Sequence, residues 1–267
     1  MALPFVSIII PTYNEEMRIS RTLDTVVEYV RYKGYSSEVL VADDGSKDKT
    51  ALLVEASARR YEEVRLIRLD HRGKGSAVKC GMLEAEGQYR FLADADLSMN
   101  IENLERFLPP SLTDYDIAVG SREAPGARRF HEPISRHFMG RVFNWMVRLL
   151  AVKGLSDTQC GFKCFEAWAA EALFPLQRSQ GFGFDVEILF LAQRLGMRTK
   201  EVPIDWYYNE GSKVRPIKDS FLMMNDLLSV RWNSMMNRYG SLSRESRIPR
   251  STVYDCGGSP DNMDEPD

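Results

Sequence analysis

The segment Phe91-Leu92-Ala93-Asp94-Ala95-Asp96-Leu97-Ser98 ends an apolar run of strand length on two carboxylates spaced i, i+2. Side chains at that spacing share a face of an extended strand. Where the backbone turns away at a strand end, both can converge on one cation. Hard oxygen donors of this kind suit Mg²⁺ or Mn²⁺ held jointly with substrate phosphates. Asp is also a common turn residue, so the pair gains meaning only from its neighbours. Several neighbours are chemically loaded. Pro11-Thr12-Tyr13-Asn14-Glu15, Asp43-Asp44-Gly45-Ser46 and Gly120-Ser121-Arg122 each follow an apolar run. His71-Arg72-Gly73-Lys74-Gly75-Ser76 follows another, but matches neither a P-loop nor a dinucleotide fingerprint. Lys74 fits two readings, a phosphate contact at a helix N-terminus or a solvated lysine in a glycine turn.

The elements that must position these residues alternate. Strands are expected at Phe5–Ile10, Glu38–Ala42, Val64–Leu69, Tyr89–Ala93 and Ile117–Gly120. Helical periodicity covers Glu15–Lys33, Asp48–Tyr61, Gly75–Glu86 and Ile101–Leu108. Repeated βαβ units imply an α/β fold, a mainly parallel sheet with helices on both faces. Ligands of such folds bind outside the carboxyl ends of the strands, where the loaded loops gather. Beyond Gly120 the pattern changes. Arg122–Pro133 is a polar, basic loop, and Ser135–Lys153 is an amphipathic helix flanked by Arg and Lys. Glu166–Phe174 and Asp185–Leu195 read as helices, Arg198–Trp206 as a strand, and Ile217–Tyr239 as a long amphipathic helix. From Gly240 the chain is rich in Ser, Pro and Asp, the composition of a disordered tail.

Of 267 residues, 44% are hydrophobic and 27% charged, with a formal net charge of -3. That balance argues against a general nucleic-acid binder. No apolar run approaches the roughly 20 residues that span a bilayer, and the N-terminus lacks the marks of a signal peptide. The 4 cysteines, Cys80, Cys160, Cys164 and Cys256, show no zinc spacing, and reduced thiols are expected.

Taken together, the Pro11–Glu15, Asp43–Ser46, Gly73–Gly75, Asp94–Asp96 and Gly120–Arg122 signatures resemble those of family 2 glycosyltransferases with the GT-A nucleotide-sugar-binding fold. Asp157-Thr158-Gln159-Cys160-Gly161-Phe162-Lys163, Phe184-Asp185-Val186-Glu187 and Glu210-Gly211-Ser212-Lys213-Val214 narrow the resemblance. It points to dolichyl-phosphate glucosyltransferases, with dolichol-phosphate mannose synthases as close relatives. It spans roughly residues 4 to 240 and implies one domain over 1–240 followed by a tail at 241–267. Residues 1–122 would bind the nucleotide sugar, and 123–240 would face the acceptor and the membrane.

The resemblance implies roles by position. Pro11, Tyr13, Asn14, Glu15, Asp43 and Asp44 would hold base and ribose. Lys74, Asp94 and Ala95 would line the rest of the nucleotide-sugar site. Asp94 and Asp96 would place Mg²⁺ or Mn²⁺ on the diphosphate, with Asp96 as the direct ligand, Asp94 sharing the metal or contacting the ribose, and Ser98 as a poor further ligand. Asp157 is read as a positioning group at the sugar–acceptor junction, with general base as the rival role. Asp185 and Glu187 would orient the sugar or hold cations. An anionic acceptor needs cations more than a base, and Arg122, Arg128, Arg129, Arg136, Lys163, Lys213 and Arg215 supply them. Asp96, Asp157 and Arg122 thus form the expected catalytic set.

The expected reaction is inverting transfer of a hexose, UDP-glucose favoured over GDP-mannose, to a polyprenyl or dolichyl phosphate. The enzyme would sit in the cytoplasm, peripherally on the inner face of the membrane, held by its amphipathic helices or by a membrane-protein partner. A soluble sugar or polysaccharide acceptor, or a non-catalytic nucleotide-binding module, are the alternatives.

Overall fold

The computed structural model describes residues 3–131, 147, 151–207 and 216–240. Its main sheet has seven strands in the order β3-β2-β1-β4-β7-β5-β8. They are β1 Val6–Thr12, β2 Ser37–Asp43, β3 Val64–Arg68, β4 Tyr89–Leu92, β5 Ile117–Ser121, β7 Lys163–Glu166 and β8 Thr199–Pro203. Arg128–Phe130 (β6) and Asp205–Tyr207 (β9) form a separate parallel pair. The helices are α1 Ile19–Lys33, α2 Thr50–Arg60, α3 Lys74–Glu84, α4 Ala167–Leu173, α5 Phe184–Arg194 and α6 Pro216–Met235.

The expected α/β class holds, and β1 shows why. Its run Val-Ser-Ile-Ile-Ile-Pro-Thr is buried throughout, as a central parallel strand requires. Ile8 and Ile10 join one core with Leu23, Val26 and Val27 of α1. Ile9 points the other way, into a second core with Val78 and Met82 of α3. The period of two in the strand thus meets a helix on each face.

Three expectations of secondary structure change. Lys163–Glu166, not read as a strand, is inserted antiparallel between β4 and β5. Four residues are too few to display a period. The stretch Arg198–Trp206 divides at Ile204 between β8 in the main sheet and β9 in the small one. Ile101–Arg106 is a 3-10 turn rather than an α-helix. Among the cysteines, Cys160 and Cys164 are free and buried. Cys80 is disulfide-bonded, against the expectation of reduced thiols, and its partner lies outside the described residues. Sequence spacing carries no information on which distant thiols meet. Most of Ser135–Lys153 and all of 241–267 lie outside the described residues.

Candidate active site

The carboxyl ends of β1, β2, β4 and β5 deliver the loaded loops to one edge of the sheet. Pro11 is buried within β1 and pairs with Ala42. Beyond it the chain turns at Asn14, which has φ of 53°. Asn14 is tied to the β2 loop twice. Its N–H donates to Ser46 Oγ at 2.8 Å, and its Oδ1 accepts from Lys47 N–H at 2.8 Å. The N–H of Glu15 donates to Thr50 Oγ1 at 2.7 Å, and its carboxylate pairs with Arg18 at 2.9 Å. Asp43 accepts from the N–H of Ser46 at 3.1 Å and from Thr12 Oγ1 at 3.2 Å. Buried Asp44 organises the next loop, accepting from the N–H groups of Arg72 and Gly73 at 2.9 Å each. It also meets His71 Nδ1 at 2.8 Å. The His71 ring in turn stacks on Tyr13, with centroids 4.1 Å apart at 16°.

The α3 N-terminus, a possible phosphate cradle in the sequence, is covered by protein. Ser76 N–H donates to the Gln180 carbonyl at 3.2 Å. Lys74 instead extends its ammonium to Asp94 Oδ1 at 2.6 Å. Burial works against both charges, but their mutual attraction prevails. It raises the Lys74 pKa and lowers that of Asp94. Asp94 lies against residue 161, where only glycine fits, since a Cβ there would be 2.0 Å from Asp94 Oδ2. The Ala95 carbonyl accepts from Thr22 Oγ1 of α1 at 2.6 Å, which fixes the turn. Asp96 Oδ1 accepts the Ser98 N–H at 2.9 Å.

These carboxylates suit a cation that shares its coordination with phosphate. Among the described residues no group of three or more His, Cys, Asp or Glu side chains converges as a metal cage. Mg²⁺ characteristically takes one or two protein carboxylates and completes its shell with water and phosphate oxygens. Asp94 and Asp96 match that donor set.

The strand missed in sequence, β7, builds the other side. Lys163 at its start is in register with both Leu92 and Val119, next to the two loaded loops. It was expected among the acceptor cations, yet it is 1% exposed. Its ammonium lies 2.6 Å from Asp185 Oδ1 and 2.5 Å from the Cys160 carbonyl. Burial raises the Asp185 pKa even beside this cation. Glu187 holds a loop rather than a cation, accepting from the N–H groups of Arg178 and Ser179 at 3.0 and 2.7 Å.

Arg122 grips Asp157 with two parallel bonds of 2.7 and 3.0 Å, and its backbone N–H adds a third at 3.1 Å. Its guanidinium also lies 5.6 Å from the Trp206 ring centre. Asp157 is fully buried. Burial alone would raise its pKa, but the Arg122 charge and hydrogen bonds bring it down to about 2. Arg128 is exposed and paired with Asp205 at 2.7 Å, and Arg129 pairs with Glu123 at 2.6 Å. Arg136, Lys213 and Arg215 lie outside the described residues. The sequence did not single out His71 as a site residue, nor Thr22, Trp206 or Phe182. Only His71 had a signal, its place beside Gly73-Lys74-Gly75.

The Glycosyl transferase family 2 model matches residues 7–170, which contain every one of these strand-end loops. The chain belongs to glycosyltransferase family 2. This family 2 protein is 34% identical over 250 residues to the dolichyl-phosphate beta-glucosyltransferase of Dictyostelium discoideum. That match covers 87% of the chain and 75% of the relative. The Homo sapiens dolichyl-phosphate beta-glucosyltransferase is also 34% identical, over 84% of the chain and 74% of the relative. Among solved structures, glucosyl-3-phosphoglycerate synthase from Mycobacterium tuberculosis, in complex with Mn²⁺, UDP-glucose and phosphoglyceric acid, superposes with a TM-score of 0.62. It covers 85% of this chain and 79% of that one at 16% identity, a likeness of fold.

Proposed function

We propose that this glycosyltransferase moves glucose, with inversion, from UDP-glucose to a dolichyl or related polyprenyl phosphate. The sequence similarity to dolichyl-phosphate beta-glucosyltransferases over most of both chains supports the sugar and the acceptor. The observation that carries the acceptor class is the state of Asp157. A carboxylate gripped by Arg122 and held at about 2 is a poor proton acceptor. A hydroxyl acceptor needs a base; a phosphate already bears the attacking charge. Asp157 therefore serves by fixing Arg122 at the end of β5, where a guanidinium orients an anion.

On the donor side, the Tyr13, Asn14 and Asp44 loops form the end of the site that takes base and ribose. Asp94 and Asp96 would hold Mg²⁺ or Mn²⁺. Such a cation, when bound, stabilises the charge that develops on the departing diphosphate. The Mn²⁺ and UDP-glucose in the complex of the structurally similar synthase support this choice. Lys74, already aimed at this position, adds a second positive charge.

The acceptor brings the protein to a membrane surface, and we place it there peripherally, on the cytoplasmic face. Among the described residues no helix is long and apolar enough to cross a bilayer. On α6 and just beyond it, Leu228, Trp232, Met235 and Met236 are exposed at helical spacing. Such a face suits the interfacial region of a bilayer.

The test is incubation with labelled UDP-glucose, polyprenyl phosphate and Mg²⁺ or Mn²⁺, with GDP-mannose and soluble sugars as competitors. Label entering the organic phase from UDP-glucose is expected. Label appearing only on soluble sugars would overturn the acceptor, and label only from GDP-mannose the donor. Asp96→Asn should lower turnover on the order of a thousandfold with the fold intact.

A further inference from the structure

Phe182 is an apolar ring that the fold holds partly in solvent beside the reacting end of the site. It is 38% exposed, and its ring centre is 6.0 Å from Lys74 Nζ. That ammonium is the one that touches Asp94 at 2.6 Å. The ring is carried by a short segment pinned on both sides. On one side the Gln180 carbonyl accepts the Ser76 N–H of α3. On the other, Gly183 N–H donates to Asp226 Oδ2 of α6 at 3.1 Å. Residue 183 must be glycine, because a Cβ there would lie 2.3 Å from the Asp226 side chain. Two helices and a close backbone approach thus fix the backbone that carries a ring gaining little from its own burial.

Resting on the donor reading above, we propose that Phe182 is the platform on which the transferred hexose stacks. The order of the strands supports this. Tyr13 and Asp44 follow β1 and β2, the diphosphate position follows β4, and the sugar extends from there. Phe182 stands next to that position, two residues before α5 begins and three before Asp185. A hexose presents hydroxyls at its rim and a patch of C–H groups on a face. The electron-rich face of an aromatic ring attracts those C–H groups, and stacking on it shields the anomeric centre from water. A ring on a pinned backbone loses only its side-chain freedom on binding, so the contact costs little to form. No hydrogen bond from Phe182 is needed. The rim hydroxyls remain for polar side chains to read.

The experiment compares binding of Mn²⁺–UDP and Mn²⁺–UDP-glucose by calorimetry to the wild type, Phe182→Ala and Phe182→Trp. Phe182→Ala should weaken UDP-glucose by about tenfold, the scale of one lost aromatic face. It should leave UDP within about twofold, which also reports that the site is folded. Phe182→Trp should bind UDP-glucose as the wild type does. Equal losses for UDP and UDP-glucose, no loss for either, or a loss confined to the KM of the polyprenyl phosphate would overturn the platform. If the wild type binds UDP-glucose but yields no lipid product, the acceptor reading fails while the Phe182 comparison still decides this one. A wild type that binds neither ligand overturns both.

Discussion

The two ends of the crevice are held by different forces. At the carboxyl edge of β1 and β2, carboxylates are satisfied mainly by neighbouring backbone N–H groups and short polar side chains. Asp44 takes Arg72 and Gly73, and Asp43 takes Ser46 and Thr12. Around β4, β7 and β5, opposite charges face each other instead, as Lys74–Asp94, Arg122–Asp157 and Lys163–Asp185. The first arrangement keeps its shape with little reliance on opposite charge. The second is mutual, so removing one partner leaves the other uncompensated, most severely at the buried Asp157, Lys163 and Asp185. The expected chemistry matches this division. A nucleoside is read mostly by hydrogen bonds and stacking, whereas diphosphate and acceptor phosphate demand charges fixed in place.

Three substitutions can break or sharpen that contrast. Lys163→Met strands Asp185 in the core and should cost about 3–5 kcal/mol in denaturant unfolding. Adding Asp185→Leu should recover most of the loss. A single-variant cost below about 1 kcal/mol would show that the pair is not what holds β7 to α5. Asp157→Asn comes next. The folded pKa of about 2 lies below the ordinary carboxylate value, so Asp157 stabilises the fold above roughly pH 4 and loses that contribution as pH falls toward 2. The shift corresponds to roughly 2 kcal/mol at neutral pH. The variant should therefore be less stable at pH 7 and show a flatter acid limb between pH 4 and 2, seen in thermal melts across pH. Asp44→Asn should have the smallest effect, about 1 kcal/mol, because one amide oxygen still accepts from the Arg72 and Gly73 N–H groups. An Asp44→Asn loss as large as that of Lys163→Met would erase the distinction between the two ends.

The donor end was the more legible in sequence. Each of its loops ends a strand with a clear apolar run, and the expected ligands adjoin it. Asp94 and Asp96 stand directly after Phe91-Leu92-Ala93, and the neighbouring loops give the pair its meaning. The acceptor end was harder to read. Lys163-Cys164-Phe165-Glu166 is too short for periodicity, and a lysine at its start resembles a surface residue. Only the pairing with Leu92 on one side and Val119 on the other turns Lys163 inward. Phe182 lies between two glycines in an apparent loop. Nothing in that local pattern reports that Asp226, 43 residues later in the hydrogen-bonded pair with Gly183, closes against it.

The sequence by itself determined the class of fold and the residues that reach the carboxyl edge. Periodicity and turn chemistry are local, and in a parallel sheet they dictate which loops share a side. It also singled out Asp94 and Asp96 as the expected donors for a phosphate-bound cation, since that expectation rests on residue type and strand-end placement. Tertiary structure decided how the charges are spent. It paired Lys74 with Asp94, buried Lys163 against Asp185, and bound Asp157 to Arg122. It also left Phe182 partly exposed beside Lys74. The reason is physical. A charge or a ring acquires its role from its nearest partner and its access to water, and both are set by contacts between segments far apart in the chain.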